Sequence, residues 1–165
     1  MSDNYETVNS FETTRYQKIS EMVTKVSFYG KAVNSLGNED VRISKRLFMP
    51  GSKLRGFESG KIGPIENNDY IGGNYISALN FSATLPKLLP SFQNIDFSLF
   101  VDAANVWGVD YNSDIDDNNK IRSSAGIAVD LLTPIGPLNF ALSQPITKSS
   151  TDKTESFRFN LGTTF

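Results

Sequence analysis

The chain has 165 residues, with no cysteine and no histidine. Without cysteine there can be no disulfide, thiolate zinc site or cysteine nucleophile. Without histidine there is no Ser-His-Asp triad and no imidazole general base. Any metal site would have to be built of carboxylates around a hard cation. Long apolar runs are also missing. None approaches the ~18 consecutive residues of a transmembrane helix, and the mean hydropathy is −0.27. The opening MSDNYETVNS has neither the basic nor the apolar region of a signal peptide. The net charge of −2 leaves no electrostatic footprint for nucleic acid. No cofactor, no metal and no catalytic residue is expected.

What the chain does have is phenylalanine, 12 residues of it, beside 6 tyrosines, placed at period two. Ile95, Phe97, Leu99, Val101, Ala103 and Trp107 share one face of a strand. Asp96, Ser98, Asp102 and Ala104 share the other, with Phe100 and Val106 as exceptions. Tyr75, Leu79, Phe81, Ala83 and Leu85 alternate with Ala78, Asn80, Ser82 and Thr84, and Ile76 is the misfit. The same pattern runs over 121–131 and 138–146, and again through Phe157, Phe159, Leu161 and Phe165. Near the start, Met22, Val26 and Phe28 alternate with Lys25, Ser27 and Tyr29, and residues 5–18 read as a weaker strand. Such alternation marks half-buried strands. Seven are expected, several of them long enough to cross a bilayer at a tilt, which takes about 9–11 residues.

The connections differ in length. Short turns are expected at 19–21 and 133–136, and a Pro-pinned one at 86–94. Long polar loops are expected at 34–71, 108–120 and 147–154. Long strands, short turns on one side and long loops on the other describe an outer-membrane barrel.

Three loop motifs carry candidate chemistry. Gly56 to Lys61 superficially resembles a phosphate loop, but three residues separate Gly56 from Gly60 and Ile62 follows Lys61, where a Walker loop needs four and then Ser or Thr. Asp114, Asp116 and Asp117 loosely resemble a calcium loop without its sixth-position Gly and twelfth-position Glu, so a solvated acidic loop is expected. Arg42, Lys45, Arg46, Lys53 and Arg55 form a basic cluster whose default reading is a solvated rim. The 34–71 loop is unusual for its apolar content, Leu47, Phe48, Met49, Leu54, Phe57 and Ile62, which should pack on something. Arg55 would then be a buried charge in need of an acid. Asp102, on the polar face of its strand, could serve, or could simply be solvated in a lumen.

Taken together, these motifs resemble the BamA-type outer-membrane assembly factors of the bacterial surface antigen family. Leu54-Arg55-Gly56-Phe57 with Ile62-Gly63-Pro64 is similar to that family's sixth-loop signature. Gly72-Gly73-Asn74, Phe100-Val101-Asp102 to Trp107, Arg122 to Gly126, Thr133 to Leu138 and Gln144-Pro145 follow in the family's order. Phe157 to Phe165 resembles a C-terminal β-signal. The chain departs from the family at Ala104, where a Gly is usual, and at Asn80, where a Glu is common.

The resemblance implies an all-β fold, an antiparallel transmembrane β-barrel, with this chain as the last seven strands of sixteen. Residues 1–165 would be the C-terminal part of the barrel domain, and 34–71 the extracellular loop folded into the lumen. The POTRA repeats and N-terminal strands would be absent, Met1 being an internal start, because seven strands alone leave two open edges. Arg55 would pair with Asp102, and Asn80 would accept a hydrogen bond from Arg55. Phe157, Phe159, Leu161 and Phe165 would face lipid, with Gly162 weakening the closing strand near its end. The implied function is non-enzymatic: inserting and folding β-barrel proteins in the bacterial outer membrane by strand pairing at a lateral seam. Unfolded outer-membrane clients, accessory lipoproteins and outer-membrane lipid would be its partners. A paralogous translocation or secretion barrel (TamA or two-partner type) and a passive porin are the alternatives. A soluble β-sandwich would instead need an apolar interior face.

Overall fold

The computed structural model describes residues 5–37, 39–85, 94–115, 119–134 and 136–162. Asp116, Asp117, Phe165 and most of the 86–94 turn lie outside the described residues. Alternation along the chain becomes an antiparallel sheet of seven strands. Its long strands are β1 (Glu6–Ile19) and β2 (Met22–Ser35), and the long loop after them carries a two-residue pair, β3 (Ile65–Glu66) and β4 (Asp69–Tyr70). The wall continues with β5 (Tyr75–Thr84), β6 (Ile95–Trp107), β7 (Arg122–Thr133), β8 (Gly136–Thr147) and β9 (Phe157–Leu161). The sheet order is β1-β2-β5-β6-β7-β8-β9, so every neighbour in the wall is also the next wall strand in the chain. This is a meander. Short turns therefore gather at one end of the wall and long loops at the other, as the connection lengths predict.

Two features of the loop differ from expectation. β2 runs to Ser35, past the residue where a loop was expected to begin. The reason lies in Val33, which is fully buried and whose N–H donates to the carbonyl of Asn74 at 2.8 Å. The strand rises beyond the span to become a wall for the loop. The β3–β4 hairpin turns on Asn67 and Asn68, with φ of 50° and 69°. Asparagine tolerates this left-handed region, and hairpin turns of two residues require it.

The two faces of the wall have different chemistry. Register aligns Phe28, Leu79 and Ala103 across β2, β5 and β6, with Val26, Phe81 and Val101 in the next row. Leu99, Ile127, Leu142 and Phe157 make a further row across β6 to β9. The large side chains of these rows are exposed on the outer face. The hydrophobic core lies inside, between wall and loop. Val33, Ile76, Ala78, Ala104 and Val106 from the wall meet Leu47, Met49, Leu54, Phe57 and Ile62 from the loop. Below it the inner face opens into a cavity of about 500 Å3 with a largely polar lining that includes Glu12, Lys25, Asn80, Ser82 and Asp130.

Leu99 and Ser82 test this division. Leu99→Arg puts a charge on the outer face in mid-strand, which costs about 2–4 kcal/mol at a bilayer midplane. Ser82→Arg points into the polar cavity and is expected to cost well under half as much. Urea unfolding in lipid bilayers measures both; equal losses would mean the faces are misassigned.

Candidate functional site

The loop enters the wall through a neck where Leu47 and Gly73 exchange backbone hydrogen bonds of 2.8 and 2.9 Å. Pro50 then starts a turn, with the Lys53 N–H donating to its carbonyl at 3.0 Å. The turn delivers Arg55 to the inner face of β6. There Asp102, with no exposed surface, receives four donors. The Arg55 backbone N–H and Nε reach Oδ2 at 3.1 and 2.7 Å. Arg55 Nη2 and Asn80 Nδ2 reach Oδ1 at 2.8 and 2.9 Å. The fork of the guanidinium thus matches both carboxylate oxygens, the strongest geometry for such a pair. Its flat face lies over the Phe100 ring, 3.5 Å from the centroid, where the ring's electron-rich face attracts the cation.

Asn80 acts as a donor here. It was expected to accept from Arg55, but its amide nitrogen donates to both Asp102 and the Lys53 carbonyl, at 2.9 and 2.8 Å. A carboxylate in its place would have no proton for either acceptor. Asn80 therefore suits a site in which Asp102 alone balances Arg55.

The following residues explain their own identities. Gly56 has φ +87°, and a Cβ there would lie 3.0 Å from Cβ of Ser124 and 3.3 Å from that of Ser143. Glycine is required on both counts. Ser124 donates its hydroxyl to the Arg55 carbonyl. Phe57 is buried in the core. Ile62 and Pro64 are buried around Gly63, whose φ is +102° and whose missing Cβ would meet Val106 at 2.9 Å. The residues expected at the site from 54 to 64 thus come together on the wall with Asp102 and Asn80. Phe157, Phe159 and Leu161 stand apart from them, exposed on the outer face.

The basic cluster forms a solvated rim only in part: Arg42 and Lys45 are exposed, whereas two of its arginines are not. Arg46 and Arg55 are buried at 4% and 6% exposure. Arg46 pairs with Asp110, Lys53 pairs with Glu12 and Arg42 pairs with Glu6. Arg46 and Arg55 are carried inward with the loop's apolar residues and meet acids there, whereas Arg42 and Lys45 stay exposed.

Several buried polar residues were not anticipated. Arg122 sits at the start of β7 with its Nε 3.0 Å from Oδ2 of Asp152, and its Nη1 donates to Asn105 Oδ1 at 3.0 Å. Asp152 belongs to the segment after β8, which straps the loop by backbone bonds: Glu58 N–H to the Lys153 carbonyl at 3.0 Å, Lys153 N–H to Lys61 at 3.1 Å and Glu155 N–H to Gly56 at 3.1 Å. Arg158 of β9 reaches the same loop from the other side. The only signal of the two arginines in the sequence is a cation on an inward-facing strand position, and Asp152, in a loop, has none.

Asp110 fastens the neck. Burial pushes its carboxyl upward, but the Val41 N–H at 3.0 Å, Asn74 at 2.9 Å and Arg46 outweigh that effect and hold it below the ordinary carboxylate range. A depressed folded-state value means that the stabilisation is fully present above the unfolded carboxylate value, about 3.9, and is lost as pH falls below it. Proteolysis of the 36–49 segment is therefore expected to accelerate below pH ~4. Asp110→Asn should be accessible at neutral pH and show no such step; an unchanged acid step in that variant would contradict this.

An apolar exterior on long antiparallel strands, with a loop folded against the inner wall through a buried arginine, defines a class: the transmembrane β-barrels that carry a loop in the lumen. A family profile described as the Omp85 superfamily domain matches residues 3–165, and the chain belongs to that superfamily. The outer membrane protein assembly factor BamA of Neisseria meningitidis is 34% identical over 145 residues, covering 68% of this chain and 17% of its own length. BamA of Neorickettsia risticii is 24% identical, with 95% and 22% covered. The crystal structure of BamA from Haemophilus ducreyi lacking POTRA domains 1–3 superposes with a TM-score of 0.79 at 30% identity, covering 94% of this chain and 34% of that one. The chain is thus a BamA-type barrel segment of the bacterial outer membrane, and it spans about one fifth of the length of these curated relatives.

Asp102→Asn leaves the buried guanidinium without its counter-charge, and breaking a buried pair from one side costs about 3–5 kcal/mol. Asn80→Ala removes two donors and should cost about 1–3 kcal/mol. Denaturant midpoints in lipid measure both; a larger loss for Asn80→Ala would reverse the assigned hierarchy.

Proposed function

We propose that this chain forms part of an outer-membrane assembly factor, which inserts and folds other β-barrel proteins without chemical catalysis. The observation that carries this reading is the Arg55-Gly56-Phe57 segment bound to Asp102 on the inner wall, in a chain of the Omp85 superfamily.

In this reading the long loops are extracellular and the loop of residues 36–74 braces the wall from within. β9 is the closing strand of the barrel and carries the β-signal. Its outer face, Phe157, Phe159 and Leu161, meets lipid, and its free edge takes part in a lateral seam where a client strand adds by backbone pairing. Clients would be unfolded outer-membrane proteins, assisted by accessory lipoproteins.

Depletion of the protein from its own bacterium is expected to lower the folded fraction of several unrelated barrel proteins together. Loss of one secreted substrate alone would instead indicate a translocation paralogue. A change in solute permeability with normal barrel assembly would indicate a porin. Either result would overturn the proposal.

A further inference from the structure

We propose that Arg158 is a positioning residue that couples the lumen loop to β9, so that the closing strand is released from the wall more readily once the loop has left its seat. The coupling follows from geometry alone; its use in client pairing rests on the assembly reading above.

Among the described residues β9 has the shortest ladder of the wall. Its ladder with β8 covers only Phe157 to Leu161, whereas each of the other neighbouring pairs in the wall is ten or more residues long. Arg158 is on its inward face and is 8% exposed. Its Nη1 donates to the carbonyl of Gly51 and its Nη2 to that of Phe57. Nε and Nη2 also reach Oε2 of Glu155, at 2.9 and 2.6 Å. One planar fork thus joins the closing strand to two carbonyls of the loop, which a single-point ammonium could not span. Gly51 has no room for more: a Cβ there would lie 2.7 Å from Arg158 Nη1.

Phe57 is two residues from Arg55, so a short rigid path runs from Asp102 through Arg55 and the Phe57 carbonyl to Arg158 and β9. If the loop leaves its seat, Arg158 loses two acceptors, and among the described residues β9 keeps its five-residue ladder, the flanking backbone bonds at Ser156 and Gly162, and the aromatic contacts of Phe157 and Phe159 with Phe140. Conversely, a β9 that peels away removes a clamp from the loop crest. Such coupling must be reciprocal.

The test is a mutant cycle read by hydrogen exchange on the protein expressed from its own gene and studied in native outer membrane. Arg55→Ala loosens the loop. In the otherwise unaltered protein it is expected to speed exchange in both 50–60 and 157–161, the latter by roughly 5-fold or more, the lower end of ordinary coupling. In an Arg158→Gln background, Arg55→Ala should speed exchange in 50–60 only. An equal response of 157–161 in both backgrounds, or none in either, would overturn the coupling. Should Arg158→Gln fail to fold, Gly51→Ala displaces the guanidinium while keeping its charge, and the same pattern is expected. Assembly of client barrels is scored separately. Failure there with the exchange pattern intact would count against the assembly reading and leave the coupling standing.

Discussion

The Asp102 carboxylate is the point on which the loop's position depends. A segment as apolar as 47–62 gains by leaving water, but it brings Arg55 with it. An unpaired guanidinium in that setting would cost more than the neighbouring contacts return. Asp102 removes this cost with both oxygens filled, and Asn80 completes the set while holding the Lys53 carbonyl. Gly56 and Gly63 then follow as necessities, because the backbone can approach the wall closely only where no Cβ intervenes. Arg122–Asp152 and Arg46–Asp110 repeat the same solution at the strap and at the neck.

The arrangement puts the core in an unusual place. Globular proteins bury apolar faces of elements against one another, whereas here the sheet's most apolar face looks outward. The interior is polar in its lower part and apolar only where the loop sits. A barrel wall has no inner layer of its own, and the loop supplies one at the upper end. This division separates two mechanical roles. In the proposed reading the outer face adapts the wall to lipid, and the loop braces it from within.

Much of this was legible in the sequence, and the most informative positions were the apparent errors in the alternation. Phe100, Val106 and Ile76 break the polar face of their strands, and all three lie directly beneath the loop: Phe100 under the Arg55 guanidinium, Val106 against Gly63 and Ile76 in the shared core. Period-two alternation was enough to place the wall because each strand reports its own two faces. The rise of β2 beyond the span, the β3–β4 hairpin and the pairs Arg122–Asp152 and Arg158–Glu155 were not read. The rise of β2 and the Arg122–Asp152 pair depend on contacts distant in sequence, of which a strand's own sequence carries no record, whereas the β3–β4 hairpin and Arg158–Glu155 are local. Asn80 was assigned to the right place with the wrong polarity, because an amide can donate or accept and only its neighbours decide which.

The most direct test is solid-state NMR of the protein in lipid bilayers, measuring the dipolar correlation between Arg55 Nε and the Asp102 carboxyl carbon. The structure, with Nε 2.7 Å from Oδ2, predicts a strong correlation and an Nε proton shielded from water. No correlation, with an Arg55 guanidinium exchanging freely with solvent, would contradict the account.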